Sequence, residues 1–290
     1  MALELCRRLA EAGVDVHMAD SVWSCPARFS TSCKAFHRLP GVAQEPLRYR
    51  SELESLVSSL SPDLLIPTCE EIFWLSQWAV GTPLFCEAHS VLLDLHSKWR
   101  FGRIAEGLGL RVPPTWRVSS ESELERLWLE ETALVFKPEY SRFGVETLIK
   151  PRTKPRLTLE RGWLAQRFVA GREVSTYSIA HKGELRAHVC YEPSARLAGG
   201  AGSIFECVEC PPVGEWVEHF LSCTSFTGQV GFDFVLDEAG EAWALECNPR
   251  TTSGVHLLDP ANFWDLLQGR SKAVVGAPAG RKAMLSVPAV

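Results

Sequence analysis

The sequence predicts an α/β fold built from several lobes, and three observations predict it. Amphipathic helical stretches alternate with short apolar strands through the first part of the chain, the order of a doubly wound sheet. A glycine-turned hairpin near residue 240 carries carboxylates on one face and apolar residues on the other. The chain has 290 residues, 46% hydrophobic and 22% charged, enough to bury more than one core.

Residues 2–12 read as an amphipathic helix, with Leu3, Leu5, Cys6, Leu9 and Ala10 on its apolar side and Gly13 closing it. Residues 14–19 follow as a strand. A doubly wound lobe normally opens with a strand and a glycine turn before such a helix. The lobe is therefore expected to lack its first strand, and the uncapped apolar residues 282–290 point to a truncated end. A second helix is predicted over 53–60 and a strand over 63–67. Thr68-Cys69-Glu70-Glu71 then lies at a strand C-terminus, where open α/β sheets bind ligands. The two glutamates serve equally well as favourable charges at the start of the next helix.

Residues 97–107 are predicted helical, and 110–114, with Pro113-Pro114, form a connector between lobes. A helix over 121–131 and a strand over 133–138 follow. Strands over 163–169 and 173–180 flank Ala170-Gly171-Arg172. Residues 181–184 turn into a strand over 185–191. The stretch 197–203 is a glycine-rich loop, and 213–222 is a helix. The expected lobes are 1–113 (α/β, with the connector helix), 114–170 (a small lid) and 171–290 (the metal-bearing lobe).

The hairpin within 231–254 carries the chemistry. Asp237-Glu238-Ala239-Gly240 is read as its turn, which sets Asp233 opposite Ala244. Alternation then groups Phe232, Phe234, Leu236, Trp243, Leu245 and Cys247 on a core face. Asp233, Val235, Ala242, Ala244, Glu246 and Asn248 share the other face. Two carboxylates and an amide oxygen there suit Mg²⁺, which takes a few carboxylates together with substrate phosphates; Mn²⁺ is the alternative ion. Arg250 continues on the same side, and its guanidinium suits a carboxylate or a phosphate in transfer. The plain alternative is a solvated polar face. The upstream Asp on the matching face and the small-residue loop Thr251-Thr252-Ser253-Gly254 favour a metal–nucleotide site.

This segment resembles the metal-binding end of the ATP-grasp superfamily, which includes D-alanine ligases, biotin carboxylases and carbamoyl-phosphate synthetases. The family signature is an acidic residue or Gln, then Glu-x-Asn on the next strand, often followed by Pro-Arg and Ser-Gly. Asp233, Glu246, Asn248 and Arg250 occupy those positions. The resemblance, carried by motifs between residues 90 and 258, implies a three-lobe ATP-grasp architecture with ATP held between two sheets. It implies that Lys98, opening a helix, and Lys137, on a strand face with Val135 and Ala133, neutralise ATP phosphates. Ser141-Arg142-Phe143-Gly144 matches the loop that closes over them, though shorter and with one glycine.

The same resemblance makes 166–173 the adenine hinge. Gln166, where Glu is commoner, would accept the adenine amino group, and the backbone of Phe168 and Val169 would pair with the ring. Glu173 would bind ribose hydroxyls; its alternative is an ion pair with Arg167 or Arg172. Arg186 and His188 share a strand face. They are either phosphate or substrate-carboxylate ligands in the cleft or ordinary exposed positions, and nothing in the sequence orients His188 as a general base.

The expected activity is ATP-dependent ligation of a carboxylate to an amine through an acyl phosphate, with Arg250 and Lys137 at the reacting end. The alternatives are a bicarbonate-phosphorylating carboxylase or carbamoyl-phosphate-forming enzyme, and an ATP-binding fragment without catalysis. The expected partners are small carboxylate and amine substrates, with a homodimer as the assembly to test.

Composition excludes other classes. A net charge of −5 argues against a polyanion-binding surface and so against nucleic acid. No apolar run reaches membrane-spanning length, so no membrane partner is expected. The ten cysteines lie mostly in apolar segments, which reads as reduced thiols in a cytoplasmic protein. Cys207-Val-Glu-Cys210 lacks a second pair for zinc and reads as a strand with inward sulfurs.

Overall fold

The computed structural model describes residues 1–141, 146–196, 202–258, 263–271 and 273–284, leaving the side chains of 195, 196, 202 and 203 aside. The expected phosphate loop at Arg142-Phe143-Gly144, the side chain of Arg196 and the glycines at 199 and 200 lie outside the described residues.

Three sheets carry the chain. The first pairs β1 (His17–Asp20) with β2 (Ala35–Arg38) in parallel. Helix α1 (Ala2–Glu11) packs Leu5 and Leu9 near Val16, Leu64 and Ile66. Helix α2 (Pro46–Leu60) packs Leu53 and Val57 near Leu65 and Leu84. Neighbouring residues of one extended segment thus face different helices, as alternation requires. The strand expected over 63–67 contracts to one bridge between Leu65 and Leu84. The reason is visible in its backbone. Leu65 spends both polar groups on Pro83 and Phe85, while Leu64 and Ile66 have no backbone partner among the described residues.

The second sheet is antiparallel, in the order β3 (Thr115–Val118), β6 (Trp163–Arg167), β4 (Leu134–Pro138), β5 (Leu148–Ile149). Helix α6 (Glu121–Glu130) covers it through Leu124 and Leu127, packed with Phe136 and Trp163. A reciprocal cap starts this helix. Ser120 Oγ accepts from Glu123 N–H, and the Glu123 carboxylate accepts from Ser119 N–H.

The third sheet has six antiparallel strands: β7 (Arg172–His181), β8 (Glu184–Arg196), β9 (Gly202–Val208), β10 (Gly228–Leu236), β11 (Ala242–Asn248) and β12 (Lys282–Met284). Their spatial order is β11-β10-β7-β8-β9-β12. One face packs on α7 (Pro211–Thr224) and α5 (Lys98–Gly107), with Phe101, Trp216, Phe220, Phe232 and Phe234 in mutual contact. The other face holds Tyr177, Ile179, Val189 and Tyr191 against α1, α8 (Phe263–Leu267) and Val255.

Several expectations need correction here. The hairpin loop takes one residue more than predicted, because Asp237 closes it on Glu241: its N–H donates to the Glu241 carbonyl, and its carboxylate accepts from Glu241 N–H. Leu236 therefore pairs with Ala242, and Phe234 with Ala244. A bulge then inserts Leu245, so Asp233 stands opposite Glu246 rather than Ala244. The same shift puts Ala242 and Ala244 into the core, while Trp243 and Leu245 stay half-buried. Cys207 lies in β9, but Cys210 precedes α7, and the two belong to different cores. All ten cysteines are free thiols. Among the described residues no helix is long and apolar enough to cross a membrane.

Candidate active site

The floor of the site is the β10–β11 pair. The bulge at Leu245 brings two carboxylates, Asp233 and Glu246, face to face across it. Asp233 accepts from Ser175 Oγ at 2.6 Å and from Asn248 Nδ2 at 3.2 Å. Burial, with the charge of Glu246, pushes the Asp233 carboxyl up to about 7. Burial works the same way on Glu246, but Lys98 and Lys137 outweigh it and hold that carboxyl below its ordinary range. This arrangement attracts further positive charge. Two carboxylates and an amide oxygen on one rigid strand pair fit Mg²⁺ or Mn²⁺ that keeps phosphate oxygens in its remaining positions. They do not make a closed cage: among the described residues no three His, Cys, Asp or Glu converge.

Two lysines from different elements, α5 and β4, roof this floor. Lys98 is the first residue of α5, and its Nζ lies 3.2 Å from Glu246 Oε2 while donating to the carbonyl and hydroxyl of Ser141. Lys137, on β4, donates to Gln166 Oε1 at 2.9 Å and to the Leu245 carbonyl at 3.2 Å. The bulged residue thus offers its carbonyl to the second lysine. Both lysines are buried. Burial lowers the Lys137 ammonium to about 8, less far than it otherwise would because Glu246 is near.

A polar knot that sequence reasoning missed joins the two lysine-bearing elements. Buried Ser97 caps α5 by accepting from Arg100 N–H at 3.1 Å, and its hydroxyl donates to Glu139, two residues beyond Lys137. Arg117 on β3 grips both Glu139 oxygens, at 3.1 and 3.2 Å. Ser97 before an amphipathic run was a readable cap signal. Nothing in the sequence around Glu139 announced its partners.

Arg250 sits at the rim beside the carboxylates. It donates to Asn248 Oδ1 at 3.2 Å, to the Thr251 carbonyl at 3.2 Å and to Glu70 at 3.0 Å. The two readings of Glu70-Glu71 divide between the residues. Glu71 closes the local turn by accepting from Thr68 and Cys69 N–H, whereas Glu70 reaches across to Arg250. His96, its ring tilted against those of Phe73 and Tyr140, is a second missed neighbour; burial and Lys98 hold its pKa below the ordinary value. The loop after Arg250 lies tight on the sheet. A Cβ at Gly254 would come within 2.4 Å of Tyr177 Cβ, so only glycine fits there.

The hinge residues are placed less as expected. The Gln166 amide is already engaged, its oxygen by Lys137 and its nitrogen with Thr115 Oγ1 at 2.9 Å. Phe168 N–H donates to the Ala133 carbonyl, which leaves its carbonyl as the backbone group for a base. The ammonium of Lys150, another residue that sequence reasoning missed, lies 4.1 Å from the Phe168 ring centre. Val169 is half-buried, and Glu173 is exposed on β7 opposite Val235.

Arg186 and His188 do not join the cluster. His188 shares a face with Cys190, which packs toward α7, whereas Asp233 and Ser175 point to the other side of the sheet, and Arg186 falls at the irregularity of β8 between Leu185 and Ala187. Arg186 is tied to the Ser271 carbonyl and to Glu184. His188 contacts Ser178 Oγ at 2.9 Å and Cys190 Sγ at 3.2 Å, and burial lowers its pKa to about 4.

Comparison with known proteins bears on this geometry. The family model of the ATP-grasp domain matches residues 95–254, more than half of the chain. A search of curated proteins returned no significant match. Among solved structures, N5-carboxyaminoimidazole synthetase from Staphylococcus aureus superposes with a TM-score of 0.71 at 12% identity, over 94% of this chain and 76% of that one. The biotin carboxylase domain of Hydrogenobacter thermophilus 2-oxoglutarate carboxylase, solved with MgADP, ADP and bicarbonate, gives 0.67 at 14% identity, over 86% and 62%. An L-amino acid ligase from Bacillus licheniformis gives 0.66 at 15% identity, over 87% and 66%. The chain thus spans under two thirds of the length of the latter two. At these identities the likeness is one of fold.

Proposed function

The chain belongs to the ATP-grasp family, and we propose that it joins a carboxylate to an amine at the expense of ATP, through an acyl phosphate. The observation that carries this reading is the convergence of two buried lysines, one opening α5 and one on β4, on one half-buried carboxylate pair. Lys98 touches Glu246, and Lys137 touches the carbonyl beside it. A cluster so charged, with its two lysines buried, is suited to stabilising charge that develops in phosphoryl transfer.

In this reading lobes 1–113, 114–170 and 171–290 close around ATP. Asp233, Glu246 and Asn248 would hold Mg²⁺, which supplies charge neutralisation across the phosphates when bound. Lys98 and Lys137 would exchange their present partners for phosphate oxygens. Arg250, fixed by Glu70 and Asn248, would orient the carboxylate with its planar fork. A carboxylate oxygen bonds to the γ-phosphorus as the bond to ADP breaks. The amine then attacks the acyl carbon, forming C–N as the C–O bond to phosphate breaks. Gln166, Phe168, Val169 and Glu173 line the nucleoside end of the proposal. Bicarbonate as the acid is the second reading, favoured by the bicarbonate named with one structural neighbour.

The test is ADP release over a panel of carboxylates, bicarbonate included, each with and without amines. We expect release that requires both an acid and an amine. Arg250→Lys keeps the charge and loses the fork, so it should cut acid-dependent release while ATP affinity stays nearly intact. Release with bicarbonate alone selects the second reading. No release with any acid, or an Arg250→Lys variant whose ATP affinity falls as steeply as its turnover, overturns the assignment.

A further inference from the structure

Both lysines of the site hang from one buried residue, Glu139, which is 8% exposed. It follows Lys137 by two positions, across Pro138, whose ring fixes φ and stiffens the link. Its carboxylate accepts from the hydroxyl of Ser97, the residue before Lys98, and its carbonyl accepts from Lys98 N–H at 3.4 Å. Its own N–H donates to the Gly162 carbonyl at 2.8 Å, just ahead of β6. Lys98 Nζ reaches Ser141, two residues past Glu139. Among the described residues the Glu139 carboxylate forms its ion pair with Arg117 of β3 and with neither lysine. The Arg117 guanidinium lies 5.3 Å from the ring centre of Trp99 on α5. The start of α5 is thus tied to β4 at Glu139 and to β3 at Trp99. Apolar side chains could join these elements at least as stably as a buried ion pair. What the charged clamp adds is direction, because its bonds fix the carboxylate against sliding.

The two ammoniums need such a join. They are like charges that act on one another, offset by Glu246 and Asp233. Each stands on a long flexible stem. Without a restraint their repulsion drives α5 and β4 apart, and a ligand that bridges them must draw them together as it binds. We propose that Glu139 is a positioning residue: held by Ser97 and Arg117, it keeps Lys98 and Lys137 at one separation, preset for a polyphosphate that meets both. This rests on the reading that both lysines meet the phosphates of ATP. The levers are short. Ser97 adjoins one lysine in the chain, and only Pro138 stands between Glu139 and the other. Glu139 acts through the two lysines and does not itself touch the nucleotide.

The test titrates ATP with Mg²⁺, and separately adenosine, into the parent, Glu139→Ala, Lys98→Ala and the double variant. Glu139→Ala should weaken ATP about tenfold, the scale of ordering one or two long side chains on binding, and leave adenosine within about twofold. On the Lys98→Ala background the same change should cost ATP less than about threefold, because one of the two charges to be aligned is gone. A residue that merely supports the fold shows neither difference. If the alanine variant does not fold, Glu139→Gln, which keeps the shape and an acceptor for Ser97, decides on the same comparisons with a smaller loss of about threefold. Equal losses for ATP and adenosine, no loss of ATP affinity, or an undiminished loss on the Lys98→Ala background overturns the proposal. A parent that binds ATP no more tightly than adenosine overturns the phosphate reading of both lysines, and the role of Glu139 falls with it.

Discussion

The two faces of the β10–β11 hairpin are built on opposite terms. On the α7 face Phe232, Phe234, Ala244 and Cys247 are buried in a core of apolar and aromatic side chains. On the other face, one residue along each strand, Asp233 and Glu246 meet beneath Lys98 and Lys137. The first face lowers the free energy of the fold by removing apolar area from water. The second raises it: burial, and then the nearness of a second carboxylate, pushes the Asp233 carboxyl up to about 7. The hairpin can carry that cost because its other side is packed so well. Strain at one face offset by packing at the other is the usual arrangement of a functional site in a stable scaffold.

The largest effect that would test this contrast comes from the charged face. Glu246→Gln keeps the shape and removes the charge that both lysines face. We expect ATP turnover to fall by about a hundredfold to a thousandfold, the scale of losing one preorganised electrostatic contact. The melting temperature should hold or fall modestly, because the relief of Asp233 is set against two buried lysines that lose their counter-charge. Parent-level turnover, or a collapsed melting temperature, would show that Glu246 belongs to the scaffold and not to the site.

The apolar face should answer in the reverse sense. Phe232 is fully buried, with ring centres of Phe101, Trp216 and Phe220 at 5.9, 5.4 and 5.3 Å. Phe232→Ala should cost about 3–5 kcal/mol of stability by denaturant unfolding. ATP affinity of the fraction that remains folded should change little. A large affinity loss in that fraction would mean that the two faces are not separable.

Much of the charged face was legible in the sequence because its residues are close in the chain. Glu246, Asn248 and Arg250 fall on alternate positions, and a glycine turn returns the chain to Asp233. What the sequence hid was register. The Asp237–Glu241 closure and the bulge at Leu245 each move the pairing by one, and only their sum sets the two carboxylates opposite each other. The contacts of Ser97 and Arg117 with Glu139, and of Glu70 with Arg250, join residues 22 to 180 positions apart. No local pattern reports such pairs. Arg186 and His188 failed differently. Which face His188 takes depends on how β8 registers on β7, and the irregularity at Arg186 breaks the alternation between them.

His188 offers the smallest and most selective test, because it is a titratable group on the apolar face. It contacts Ser178 Oγ and Cys190 Sγ there, and burial holds its pKa near 4 against an ordinary value of 6.5. Between those two values the unfolded chain binds a proton that the folded chain refuses. Stability contributed by the neutral ring is therefore complete above pH 6.5 and is lost as pH falls toward 4, at a rate on the order of 1 kcal/mol per pH unit. His188→Gln retains a hydrogen-bonding amide and cannot be protonated, so its stability should fall less steeply with acid than the parent's across that window. At pH 8 the two proteins should differ by little more than a local repacking. Asp233, on the opposite face, bends the curve the other way. Its raised pKa makes the fold more stable as pH falls from 7 toward 4, so the parent shows only the difference between the two faces. Removing His188 should expose the rising branch that belongs to Asp233. An unchanged acid slope in the variant would mean that His188 titrates freely and that the α7 face is not as dry as its packing indicates.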